Sequence, residues 1–159
     1  MNARKTFILA SALSLAVTVI QAAQPDEDSS VGTWKLNVTK STFAQNPPPT
    51  KETRTYTVTS EGTHLVIEEE FADSTKLRIE TLVTYDGKPH VSVGSSDFDS
   101  VAAKRIDRNV TTADLLRNGK VIGSLRREVS PDGKTMKMNY VINKADGTTV
   151  STMSLFERQ

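Results

Sequence analysis

The chain has 159 residues, enough for one domain, with 20 Lys and Arg against 19 Asp and Glu and no cysteine. The near-zero balance leaves no basic excess for phosphate backbones, which argues against nucleic acid as a partner. The missing cysteines exclude disulfides, a thiol nucleophile, thiolate metal sites and a lipidated signal junction.

Residues 1–23 have the layout of a secretory signal. Arg4 and Lys5 precede an uncharged apolar stretch, Thr6 to Ile20, which is followed by the small residues Ala22 and Ala23. The stretch is shorter than the ~20 residues that span a bilayer, so no stable membrane anchor is expected. Removing 1–23 takes away two basic residues and leaves a net charge of −1 (18 against 19). The expected organisation is a signal at 1–23, a disordered tail at 24–30 and one domain over 31–159. The expected location is the periplasm or the extracellular space.

Within that domain, Asp-Gly and Asn-Gly pairs at 86–87, 118–119, 132–133 and 146–147 signal tight hairpins, since both residue types tolerate positive φ. The intervening segments are rich in Thr, Val, Ile and aromatic residues, as pleated strands require. Ten strands are predicted, at 31–38, 52–60, 63–71, 75–85, 88–93, 99–107, 110–117, 120–130, 134–143 and 147–157. Two-residue turns dictate an antiparallel meander, and a meander of this length closes into a barrel to remove its edges. The long connection 39–51 carries Pro47, Pro48 and Pro49, which excludes a helix there.

Alternation assigns the faces. Leu65, Ile67, Glu69 and Phe71 share one side of the third strand. Leu77, Ile79, Thr81, Val83 and Tyr85 share one side of the fourth. Val121, Gly123, Leu125, Arg127 and Val129 are expected to point inward from the eighth, and Met136, Met138, Tyr140 and Ile142 from the ninth. The last strand is ambiguous, with Val150 and Phe156 on one face and Met153 and Leu155 on the other.

The opening Val31-Gly32-Thr33-Trp34-Lys35-Leu36 resembles that of the calycin superfamily, which comprises the lipocalins and fatty-acid-binding proteins. The ending Met153-Ser154-Leu155-Phe156-Glu157-Arg158 is similar to the last strand of the fatty-acid-binding branch. Gly-Thr-Trp-Lys-Leu-Asn followed by Lys40-Ser41-Thr42-Phe43 also resembles a group of exported bacterial lipocalin-like proteins. The resemblance implies a barrel that carries a small apolar ligand. It also implies that Gly32, Trp34 and Arg158 form a structural plug, with the arginine stacked on the indole. Two departures stand out. The prolines replace the helical lid of the fatty-acid-binding branch, and Ser154 and Phe156 occupy the positions of its Arg-x-Tyr carboxylate anchor.

The candidate ligand-binding residues are Glu69, Arg105, Arg127, Met136, Met138 and Tyr140. The three charges share predicted faces with apolar residues, and a buried charge is costly unless paired. They are therefore either a polar anchor for a ligand or strand-end residues in solvent. Methionines suit an adaptable wall and equally an ordinary core. Neither His64 nor His90 has a second ligand at metal-binding spacing, and Asp97-Phe98-Asp99 lacks the full calcium-loop pattern. No nucleophile elbow, zinc-protease helix or dinucleotide fingerprint is present, so no catalysis and no cofactor are expected. The expected function is non-catalytic binding of a small apolar ligand inside the barrel. The alternative is a barrel with a filled interior that acts through its surface on a protein or glycan.

Overall fold

A computed structural model describes residues 28–44, 47–144 and 146–159. The expected signal at 1–23 and positions 24–27 of the expected tail lie outside the described residues. Ten antiparallel strands close into one barrel. They are β1 (Gly32–Leu36), β2 (Lys51–Thr59), β3 (Gly62–Glu70), β4 (Lys76–Val83), β5 (Asp86–Val93), β6 (Ser100–Arg105), β7 (Val110–Arg117), β8 (Lys120–Val129), β9 (Thr135–Asn143) and β10 (Thr149–Arg158). Each strand pairs with the next, and β1 closes on β10 through Trp34↔Arg158, Lys35↔Glu157 and Leu36↔Phe156. The only helical element among the described residues is a 3-10 turn at Val38–Lys40, capped by the Asn37 side chain, which accepts from the Lys40 amide. Beyond it, Thr42 bridges Met153, so the wall continues past the end of β1.

Closure leaves one inner and one outer face on every strand, and the alternation of each strand decides what fills the inside. One end of the interior is packed by Trp34, Leu36, Tyr56, Val129, Met136, Met138 and Phe156. Ser154 and Phe156 face inward from β10 and are buried. That resolves the two-sided pattern of the last strand: Val150, Thr152 and Ser154 border the interior, and Met153 pairs with Thr42 in the wall.

Three expectations require correction. Residues 28–30 belong to the barrel, not to a disordered tail. Ser30 is fully buried, Asp28 is buried, and the Ser29 amide donates to the Arg108 carbonyl at 3.1 Å. The turn expected at Asp86-Gly87 falls earlier. β4 ends at Val83, Tyr85 adopts φ 59°, and Asp86 already belongs to β5, with a register shift between Asp86 and Pro89. A left-handed tyrosine is unfavourable unless its surroundings enforce it, and the contacts of its hydroxyl, described below, do so. On β8, a bulge between Leu115 and Leu116 of β7 makes Ile122 the extra residue. Ile122 therefore borders the interior while Val121, expected inside, is 59% exposed.

β4 meets β5 only through Glu80↔Val93 and Thr81↔Ser92. Past that point the loop 94–99 runs along β4. Gly94, at φ 95°, lies so close that a Cβ there would collide with the Arg78 carbonyl. The loop is tied to the β7–β8 hairpin by Arg117, which donates to the Ser96 carbonyl, and by the Asn118 amide, which donates to Asp99 Oδ2 at 2.6 Å.

Candidate functional site

The two ends of the barrel are built differently. At the closed end the Trp34 indole is fully buried and its Nε1 donates to the Ser30 carbonyl at 2.7 Å. The Arg158 guanidinium lies 4.2 Å from the indole ring and donates to the carbonyls of Val31, Ser29 and Gly133. Gly32 makes room for it, since a Cβ there would fall 2.7 Å from Arg158 Nη1. Beside this plug, Asp28 enters the barrel from the chain segment before β1. Its carboxylate accepts from the Ser30 amide at 3.0 Å and Oγ at 2.7 Å, from Arg127 Nη2 at 3.1 Å and from the Tyr85 hydroxyl. Burial alone would raise its pKa, but the Arg127 charge and these hydrogen bonds outweigh burial and hold the group below the ordinary carboxylate value. Thr111 Oγ1 accepts from Arg127 at 2.7 Å, and Arg105 reaches Asp28 at 3.5 Å while lying over the Tyr85 ring.

Toward the other end the interior is hollow. A cavity of about 840 Å³ opens there. Ile67 from β3, Phe71 just after it, and Leu77 and Ile79 from β4 form one apolar wall, and Phe43, Pro47 and Pro49 from the proline-bearing connection also border the cavity. Phe98, carried in by the 94–99 loop, borders both this cavity and a smaller void of about 50 Å³ deeper in the barrel.

The cavity wall also holds charge. β2 places Glu52, Arg54 and Tyr56 on its inner face, all buried. Arg54 Nε donates to Glu52 Oε1 at 2.5 Å, and the guanidinium sits 5.0 Å from the Phe156 ring and 5.6 Å from the Tyr140 ring. Burial disfavours the Arg54 cation, but Glu52 together with Tyr140 and Tyr56 outweighs it, so its pKa is raised. Tyr140 is also pushed up, chiefly by burial, and remains a neutral phenol at physiological pH. Glu69 is paired across the strands with Glu52 on one side and Leu77 on the other. Burial, then the charge of Glu52, carry its pKa to about 7, against the opposing pull of Arg54. Its carboxylate has no hydrogen bond or ion pair to any described residue. Among the described residues, no three His, Cys, Asp or Glu side chains gather to hold a metal ion.

Of the six expected ligand-binding residues, only Glu69 and Tyr140 border the large cavity. Arg105 and Arg127 sit at the closed end, committed to Asp28 and Tyr85. Met136 packs in the core beside Trp34, and Met138 borders only the small void. Arg127 is buried and Glu69 half-buried, whereas Arg105, the last residue of β6, is exposed. Their position along the barrel axis separates them, and alternation carries no information about depth. Glu52 and Arg54 escaped the sequence reading, although opposite charges at i and i+2, followed by Tyr56 on the same side, are a legible sign of a paired inner face. No protein-family model matches the chain, and no curated protein is similar enough to it in sequence to count as a relative.

Proposed function

We propose that the protein is an exported, non-catalytic carrier that holds a small, largely apolar ligand in the open half of a calycin-like barrel. The observation that carries this reading is the cavity of about 840 Å³. Its size lies within the ~300–1,000 Å³ of pockets that take small organic ligands. It also combines apolar walls with a few polar groups, the pattern that gives such pockets both affinity and orientation. A surface-acting barrel with a filled interior has no use for this space. The ten-strand meander, the Trp34–Arg158 stack and the Gly32 that accommodates it support the calycin-like reading of the fold.

Trp34 borders neither internal space, so calorimetry is the appropriate readout and tryptophan fluorescence is not. Medium-chain amphiphiles and hydrophobic dyes are expected to bind with saturation and one site per chain. Val150→Trp places an indole in the cavity from β10 and is expected to weaken that binding at least tenfold without loss of the fold. Binding that is unaffected by this substitution would place the ligand elsewhere and sink the proposal.

A further inference from the structure

We infer that the cavity is built for an amphiphilic amine, with its cationic nitrogen at Glu69 and its apolar body along the β3–β4 wall. The inference rests on the carrier reading above and adds the class of head group. Glu69 borders the cavity with its carboxylate uncommitted to any described residue. The groups facing it explain why. From β2, Glu52 stands directly across the strand pair, but its carboxylate already holds Arg54 Nε. Arg54 faces the same space, yet its charge is matched by Glu52 and its guanidinium lies over the rings of Tyr140 and Phe156. From β4 the neighbour is Leu77, which offers no polar atom. From the 94–99 loop, Asp97 contributes a further like charge.

The deep charges of the wall therefore sum to one uncompensated carboxylate. Arg117 and Lys144 also border the cavity, but both are exposed at the rim, where solvent and salt weaken their reach. An anionic head group would meet the repulsion of Glu69, the carboxylate left uncompensated. A hydroxyl would supply a hydrogen bond but no charge. An ammonium supplies both, and a charge-assisted hydrogen bond in a partly dehydrated site is the stronger interaction. Ile67, Phe71, Leu77 and Ile79 surround the position with apolar surface for the rest of the molecule. Glu69 is neutral when protonated, so the preference for an amine should fade as the pH falls below about 7.

The test is calorimetric titration of the protein with decylamine, decanol and decanoate, each kept below its micelle concentration. At about pH 8.5 decylamine is expected to bind at least tenfold more tightly than decanol, with decanoate weakest. At about pH 5.5 the advantage of the amine over decanol should shrink several-fold, because Glu69 is protonated while the ammonium keeps its charge. Glu69→Gln should remove the advantage of the amine over decanol at the higher pH. Tightest binding of decanoate would overturn the inference and assign the head group to Arg54. An amine advantage indifferent to both pH and Glu69→Gln would overturn it as well. Equal affinities for all three would remove the head-group inference while leaving the carrier standing, and failure of all three to bind would remove both.

Discussion

The closed and open halves of this barrel handle inward-facing charge in opposite ways. At the closed end, Arg127 points into the interior and is met by Asp28, Tyr85 and Thr111, so its cost of burial is offset by a hydrogen-bonded counter-charge. In the open half, Glu69 also points inward but is met by a second glutamate and a leucine. The first arrangement stabilises a fold. The second leaves a half-buried carboxylate with no hydrogen bond to a described residue and a raised pKa, which is a cost to stability. The difference comes from the chain segment at 28–30, which supplies Asp28 to one end of the barrel and has no counterpart among the described residues at the other.

Removing the counter-charge at the closed end should have the largest effect. Asp28→Ala leaves Arg127 buried without its partner and is expected to cost about 3–5 kcal/mol, measured by chemical denaturation. An effect below about 1 kcal/mol would mean that the segment 28–30 does not hold the closed end. The same pair predicts a pH dependence. Because the Asp28 pKa is lowered on folding, its contribution is fully present above the unfolded-state value of 3.8 and is lost as pH falls through the lower folded value. Asp28→Ala should therefore flatten the acid limb of the stability curve.

A smaller loss is expected from Arg158→Ala. It removes the stack on Trp34 and three bonds to backbone carbonyls, and about 1–3 kcal/mol should follow. Lysine at this position keeps the charge but not the planar fork, so Arg158→Lys should recover only part of the loss. Full recovery would show that charge alone, without stacking geometry, secures the plug.

The open half should answer in the other direction and most weakly. The Glu69 pKa is raised from 4.5 to about 7 on folding. Its cost is therefore absent well below pH 4.5, grows between there and about pH 7, and is constant above. Glu69→Gln is expected to stabilise the unliganded protein at high pH by about 1 kcal/mol, after allowing for screening by the open mouth, and to leave it unchanged in acid. Destabilisation at high pH would mean that the carboxylate has a partner in solution, which would erase the contrast between the two ends.

Much of the architecture was legible in advance because it depends on local chemistry. Asn-Gly and Asp-Gly turns, Thr- and Val-rich segments and period-two alternation are short-range signals, and a meander of ten strands has few other ways to satisfy its edges. The stacked Arg158 was legible through resemblance. The Tyr85 turn was not, because a hydroxyl bond to Asp28, 57 residues away, overrides a strong Asp-Gly signal. The β7–β8 bulge was not legible either, since one extra residue changes which of Val121 and Ile122 faces inward without altering the composition of the strand.

The candidate site divides along the same line. The sequence by itself determined that Glu69, Arg127 and Tyr140 would share faces with apolar residues, because the pleat alternates side chains strictly. Only the tertiary structure decided that Arg127 lies at the sealed end and Glu69 at the hollow one. Depth in a barrel depends on strand tilt and on which residues stand opposite across the sheet, and those are properties of the closed structure, not of any one strand. The pairing of Arg127 with Asp28 spans 99 residues of chain, and the company of Glu69 is set by strands on both sides of it.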